Sequence, residues 1–303
     1  MRRNSKVCAI RDLSFHAEER ADLADRFNLI AMAEYPFSSA VPVSTLLDTS
    51  SCQRMLQQLA PRFGAPSLGI TASLLSKRVA FLTTAAAFYP LSMYNKGLNM
   101  ALTNCLLDTR HDGHLWQSHM VMDDLSLSTP LSDLDRASWR DALLRGVFAE
   151  HLTPLWHVLS AASGISSRIL WENTAVRLFS LFEHRMQASD TATEARVKQD
   201  FYYVVHEAPG ALFGLDVNPL TVYFRPLTWV PANGEWIRFR RTCCFYYKAS
   251  QPQEFCQACP LLRPDKSHRL PFRNRRGLSK AHLYRCLSAS VFPMLRIFLT
   301  LSF

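Results

Sequence analysis

The sequence predicts an α+β protein that is predominantly helical, with a small antiparallel sheet and a C-terminal cysteine-rich metal loop. Apolar residues recur at helical spacing in most segments before Pro209. Short segments without that spacing flank two turn dipeptides, Asp112-Gly113 and Asn233-Gly234. Four of the eight cysteines fall within seventeen residues, from Cys243 to Cys259. Together these observations predict helices first, short strands second and a metal loop last.

The composition is that of a globular protein with one basic end. Of the 303 residues, 48% are hydrophobic and 19% charged, which is enough apolar material for one large core. We therefore expect a single domain over residues 1–262. The net charge is +9, but residues 261–303 contain nine Lys or Arg and one Asp. The body is nearly neutral, so we expect no nucleic-acid binding by it.

Six helical segments are expected along the chain. The segment 74–89 is apolar nearly all round, with Lys77 and Arg78 as its only charges, and predicts a central buried helix. The segment 168–187 is amphipathic, and its polar stripe predicts either a solvated face or the lining of a ligand pocket. The full set is 16–34, 43–59, 74–89, 133–164 with a kink near Pro154, 168–187 and 191–208.

Two hairpins are expected between and after these helices. Segments 98–108 and 114–124 flank Asp112-Gly113, and the aromatic segment from Leu220 contains Asn233-Gly234 and leads to the cysteines. The first hairpin also carries three histidines, the only rival metal constellation, which we interpret as a solvated polar turn: His111, His114 and His119.

The four clustered cysteines have the spacing C-C-x11-C-x2-C, formed by Cys243, Cys244, Cys256 and Cys259. Four thiolates suit a tetrahedral zinc or a [2Fe-2S] cluster. Neighbouring residues of a strand point to opposite faces, so the adjacent pair requires a bend. A two-iron cluster gives an adjacent pair more room and is favoured; a zinc ion and buried thiols without metal remain alternatives. The other cysteines are expected to act as small hydrophobes.

The motif Arg240-x-x-Cys243-Cys244-x-Tyr-Tyr followed by Cys256-x-x-Cys259-Pro resembles the FhuF-type siderophore-iron reductases, which have ten rather than eleven residues between the cysteine pairs. The resemblance extends upstream to Ser-Leu-Leu-Ser-Lys-Arg at 73–78 and Leu-Trp-Glu-Asn at 170–173. It implies a [2Fe-2S] cluster on the four cysteines and one-electron reduction of cytoplasmic Fe(III)-siderophore. It also suggests contacts with the substrate from four residues, namely Arg240, Arg241, Trp171 and Asn173.

The expected partners are accordingly a ferric siderophore and an unidentified electron donor. Alternatives are a zinc-stabilised binding module and an iron-sulfur electron carrier for another acceptor. No nucleotide-binding or serine-hydrolase motif is present. We also expect no signal peptide, no membrane-spanning segment and a cytoplasmic location.

The C-terminal extension, residues 263–303, departs most from the family. Its first part is basic and contains two prolines, and its end is apolar. We expect it to be poorly ordered and dispensable for the fold. It is either a peripheral anchor that makes weak contact with a membrane surface or an extension without function.

Overall fold

The computed structural model describes residues 14–108, 110, 118–232 and 234–264. These residues form seven α-helices: α1 Ala17–Phe27, α2 Thr49–Arg62, α3 Leu68–Tyr89, α4 Arg136–Val147, α5 Thr153–Ser163, α6 Ser167–Ser180 and α7 Thr191–Tyr202. They also form eight short strands: β1 Leu29–Ala31, β2 Ala40–Pro42, β3 Gly97–Leu98, β4 Cys105–Asp108, β5 Met120–Met122, β6 Leu127–Ser128, β7 Thr228–Val230 and β8 Glu235–Ile237. The predicted α+β class is confirmed.

Helix α3 is the centre of the molecule, as its sequence predicts. Ser67 caps its N-terminus by accepting a hydrogen bond from the amide of Ile70 at 3.4 Å. Nearly every later residue of α3 is buried, including Lys77 and Arg78. The most extensive helix-helix packing joins α3 to α6. This helix pair is the base on which the cysteine-rich segment rests.

Four of the described helices continue into a π-helical turn at their C-terminal end. Single π-helical turns follow α3, α4, α6 and α7. Pro154 lies in the first turn of α5, directly after the π turn Phe148–Leu152, where a missing amide proton costs little. The interruption predicted near Pro154 takes the form of this π turn, after which α5 begins at Thr153.

The first predicted helix, 16–34, is too long. Helix α1 ends at Phe27 because Asn28 adopts a left-handed conformation, with φ of 55°. Residues 29–31 then form β1, which pairs in parallel with β5. The apolar spacing of Leu23, Phe27 and Ile30 continues across this break, which is why the sequence pattern missed it.

The main sheet has the order β1-β5-β4-β2. Strands β4 and β5 pair antiparallel, with Cys105 opposite Met122, in agreement with the first predicted hairpin. Most of the turn between them, positions 109 and 111–117 with His111 and His114, lies outside the described residues. Strands β7 and β8 form the second predicted hairpin, and Asn233 of its turn also lies outside the described residues.

One large core extends from Leu23 to Tyr223, and a small second cluster lies beneath the last hairpin. The second cluster consists of Val230, Ile237 and Phe239 with Ala258 packed against it. The predicted extension lies outside the described residues from position 265 onward. Within the described ranges, no helix has the length and hydrophobicity needed to cross a membrane.

Candidate metal centre

The cysteine loop, residues 240–262, folds back onto the α3–α6 pair. The amide of Arg240 donates to the carbonyl of Ala258 at 2.9 Å, which joins the two ends of the loop. The hydroxyl of Ser73 on α3 donates to the carbonyl of Cys244 at 2.8 Å. The loop is thus closed on itself and fixed to a buried helix.

The adjacent cysteines lie at a bend, as their chemistry requires. Phe245, the next residue, has φ of 61°, a left-handed conformation that is costly for a bulky side chain. Its amide donates to the sulfur of Cys243 at 3.3 Å. This bend lets Cys243 and Cys244 serve the same centre, which an extended strand would not allow.

The four thiols approach one another as two pairs. The sulfurs of Cys244 and Cys256 are 3.6 Å apart. The thiol of Cys243 interacts with that of Cys259. Within the described ranges, no three Cys, His, Asp or Glu side chains are grouped as a ready-made site for one ion. Each pair therefore brings together one residue of the double cysteine and one of Cys-x-x-Cys.

This arrangement fits a two-iron cluster. Two sulfurs bound to one tetrahedral metal at ~2.3 Å stand about 3.8 Å apart, close to the Cys244–Cys256 distance. A [2Fe-2S] cluster takes four thiolates, the number that two such pairs of cysteines could supply. The donor set therefore has the right chemistry, and the Cys244–Cys256 distance suits one metal of the pair.

Glu172 is the anchor of the loop on α6. Its side chain is buried, and its carboxylate accepts hydrogen bonds from the backbone amides of Arg241 at 2.5 Å and Thr242 at 2.7 Å. The Thr242 hydroxyl donates to the same carboxylate. The guanidinium of Arg240 lies 3.8 Å from it. A buried carboxylate needs such donors, so the loop and Glu172 stabilise each other.

Asn173 connects both helices to the loop. Its amide nitrogen donates to the Ser73 carbonyl at 3.0 Å and to the Ser76 hydroxyl at 2.8 Å. Its amide oxygen accepts from Arg240 at 2.7 Å. Arg240 also donates to the carbonyl of Thr242 at 3.1 Å. This network fixes the backbone immediately before the double cysteine.

Lys77 places a buried positive charge beside the thiols. Its ammonium nitrogen lies 3.9 Å from the sulfur of Cys244 and 5.1 Å from the centre of the Tyr246 ring. Burial lowers the pKa of Lys77 to about 8, and the neighbouring Cys244 opposes that shift. The lysine is therefore still mainly cationic at neutral pH.

We call Cys244 and Cys256 the inner thiol pair, and their pKa values are shifted in opposite directions. The hydrogen bond with Cys256 lowers the pKa of Cys244, and Lys77 and Arg240 lower it further against the effect of burial. The same hydrogen bond, together with burial, raises the pKa of Cys256. One thiolate is thus already favoured at this point, and thiolate is the form that binds metal.

The four predicted contact residues are placed very differently. Trp171, Asn173 and Arg240 are 7%, 1% and 4% exposed, whereas Arg241 is exposed. Trp171 packs against the rings of Phe148 and Phe213 in the core. The interpretation of the α6 polar stripe as a solvated face is wrong at Asn173. Substrate contact by these four residues stays a prediction. The three buried residues pack in the core or hold the loop in place.

The sequence analysis gave no role to the residues that hold the loop, above all Ser73, Lys77 and Glu172. They lie in the two upstream segments of the family resemblance, residues 73–78 and 170–173. Charged residues within otherwise buried helical segments are the signal that could have found Lys77 and Glu172, because an unpaired buried charge needs a partner.

Two family models match the chain. One, described as "Ferric iron reductase FhuF-like transporter", matches residues 73–226, which is half of the sequence. The other, described as "FhuF 2Fe-2S C-terminal domain", matches residues 240–261, the cysteine loop. The chain belongs to the FhuF-like ferric iron reductase family. A search of curated proteins gave no significant match.

Membership confirms the resemblance and the cofactor: this FhuF-like protein carries a [2Fe-2S] cluster. The boundaries of the two matches agree with the structure. The first contains α3 and α6, and the second contains the loop that rests on them. The two family models thus cover both the helix pair and the cysteine loop that rests on it.

The remaining described thiols and histidines lie elsewhere. Cys52 and Cys105 are buried in the main core as small hydrophobes, while Cys8 and Cys286 lie outside the described residues. His119 contacts the carboxylate of Asp108 at 3.2 Å. The rival three-histidine site cannot be placed, because its other two members lie outside the described ranges.

Proposed function

We propose that Cys243, Cys244, Cys256 and Cys259 hold the [2Fe-2S] cluster and that the protein reduces Fe(III)-siderophore by one electron, releasing Fe(II). The pairing of the thiols supports this assignment most directly, with one sulfur-sulfur distance of 3.6 Å. When bound, the cluster accepts and gives one electron at a time. Losing one unit of charge weakens the hold of oxygen chelators on iron, so one electron is enough for release.

In this proposal, the described residues set the charge around the thiols. The buried ammonium of Lys77 favours the more negative, reduced state. The amide of Phe245 acts in the same direction on Cys243. Arg240 contributes less than its charge suggests because Glu172 lies 3.8 Å from it. The buried lysine, rather than the flanking arginines, is therefore the main source of positive charge.

The reaction needs two partners, a ferric siderophore as acceptor and an electron donor that the sequence does not identify. We place the reaction in the cytoplasm, where reducing conditions keep cysteine thiols available to iron. The extension from residue 263 is proposed as a dispensable segment with, at most, weak contact to a membrane surface. Nucleic acid is not among the proposed partners.

The first experiment measures metal content. Protein purified anaerobically should contain about two irons per chain and show the absorption of a [2Fe-2S] cluster. Changing any of the four proposed ligands to Ser should remove or destabilise the cluster. Cys105→Ala is the matched control, because it removes a buried thiol far along the chain from the loop.

The second experiment measures turnover. Chemically reduced protein should be reoxidised by a ferric hydroxamate, with Fe(II) trapped by a ferrous-specific dye. A zinc-containing, colourless protein would favour the zinc-stabilised binding module. An intact cluster that ferric chelates reoxidise no faster than buffer would instead favour an electron carrier for another acceptor. Either result would overturn the proposed reductase activity.

A further inference from the structure

Three arginines surround one aromatic ring on the α3–α6 pair. The guanidinium carbons of Arg78, Arg177 and Arg185 lie 5.3, 6.0 and 5.2 Å from the centre of the Phe81 ring. Arg78 and Phe81 belong to α3, Arg177 to α6, and Arg185 to the π turn that follows α6. We call Arg78, Arg177 and Arg185 the arginine trio. Residues distant in sequence thus bring three positive charges to one place.

No carboxylate of the described residues forms an ion pair with the trio. Arg78 donates to the carbonyl of Ser118 at 2.6 Å and to its hydroxyl. Asp108 acts on Arg78 electrostatically, and its carboxylate is bound by Arg110. The Nε of Arg177 is buried without a hydrogen-bond partner in the described ranges, although part of its side chain remains accessible.

This grouping is unfavourable in the protein alone. Burial, together with the charges of the neighbouring arginines, lowers the pKa values of Arg78 and Arg177 to about 10. Like charges held together and partly removed from water repel each other and lose hydration. Several other inner arginines have acidic partners, as with Arg136 and Asp200 at 2.7 Å. The trio has no such partner among the described residues.

We propose that the arginine trio binds the anionic oxygen atoms of the ferric chelate, so that the preferred substrates are negatively charged complexes. This inference rests on the proposed function and names the substrate class of the same site. Guanidinium groups match carboxylate and catecholate oxygens through paired hydrogen bonds. Phe81 is only partly buried and offers an aromatic surface to the organic part of the chelator.

The position of the trio relative to the thiols supports this assignment. Arg177 acts electrostatically on both Cys244 and Cys256. Lys77, the neighbour of Arg78 in α3, contacts the sulfur of Cys244. A chelate held by the trio would therefore lie within electrostatic range of Cys244 and Cys256. Arg78 is 9% exposed and bonded to Ser118, so the chelate would meet chiefly Arg177 and Arg185, and Arg78 would act on it through its charge.

The test uses two redox-inert complexes of matched shape, trianionic gallium(III) tris-catecholate and uncharged gallium(III) tris-benzohydroxamate. Calorimetry on the anaerobically purified, cluster-loaded protein should give tighter binding of the anionic complex. Arg177→Gln and Arg185→Gln should each weaken that binding at least about tenfold, the loss expected for one charged hydrogen bond, and leave the uncharged complex unaffected. Arg145→Gln, an exposed arginine of α4, is the control of equal charge change.

Two results would overturn the inference. One is equal binding of both gallium complexes; the other is anionic binding that neither variant weakens more than Arg145→Gln does. Arg185 is exposed, so its variant keeps the test valid if Arg177→Gln fails to fold. An effect on reduction by a protein donor without an effect on gallium binding would assign the trio to that donor instead. The proposed reductase activity is judged separately, by reoxidation with an uncharged ferric hydroxamate.

Discussion

Replacing Lys77 by Met should lower the reduction potential of the cluster. Methionine keeps the length of the side chain but removes the charge that lies 3.9 Å from the Cys244 sulfur. At this distance, a unit charge interacts with another by about 4 kcal/mol at an effective dielectric constant of ~20. The added electron is shared over the cluster, so its mean distance from the Lys77 charge is about twice as large. The interaction energy is then halved, to about 2 kcal/mol. This corresponds to a decrease of about 90 mV.

The control is Lys248→Met on the same loop. Lys248 is exposed, and its ammonium lies 5.5 Å from the Phe245 ring. Water and salt screen such a charge, so we expect a shift of less than about 20 mV. Both potentials are measured by anaerobic spectroelectrochemical titration, at low and at high ionic strength. The Lys77 effect should persist at high salt because the side chain is buried.

Equal shifts in the two variants, or a raised potential in Lys77→Met, would refute the reasoning that a buried charge controls the cluster. Loss of the cluster in the variant would be a different result. It would show that Lys77 is needed to hold the thiolates rather than to set the potential. Lys77→Arg then separates the two roles, because it restores the charge with a different shape.

Three further predictions concern the scaffold. Glu172→Gln should speed loss of iron to a chelator at least about tenfold relative to the exposed control Glu194→Gln, since it weakens charged hydrogen bonds to the loop; equal rates would contradict the anchor role. Burial lowers the pKa of His151 to about 4, so the unfolded chain binds the extra proton as pH falls below ~6.5. The wild type should therefore lose about 2 kcal/mol more unfolding free energy than His151→Gln between about pH 7.5 and 5, measured by urea denaturation, and parallel curves would count against this. Gly210→Ala places a Cβ 2.5 Å from backbone atoms and should cost about 1–3 kcal/mol, whereas Gly146→Ala meets no atom within 4 Å and should be stabilising; thermal unfolding of both checks the sign.

Local patterns predicted the parts of the fold that depend on local sequence. The apolar stretch of α3 is long enough to identify a buried helix, although its true start at Leu68 lies before the fully apolar part. The spacing of the four cysteines predicted both a metal loop and a bend at the double cysteine. Phe245 supplies that bend with its positive φ.

The parts that depend on distant contacts were not predictable. Strand β1 has three residues and exists because β5, some ninety positions later, pairs with it. Glu172 is buried because the amides of residues 241 and 242 reach its carboxylate from a distant segment. From the helical pattern alone, a charged residue such as Glu172 is predicted to be exposed to solvent. Only the folded loop explains why that charge lies inside.

The contact between Ser73 and Cys244 joins residues 171 positions apart in sequence, which has a consequence for how the protein matures. During synthesis, α3 and α6 leave the ribosome before any of the four clustered thiols does. The fully buried residues of the main core all lie at or before Tyr223, and only partly buried loop residues such as Phe245 and Tyr246 pack against it later, so most of the body can fold at that stage. Assembly of the cluster is then a late step on a nearly finished surface. We therefore expect a shortage of iron to leave a largely folded body, less stable around Glu172, rather than an unfolded chain.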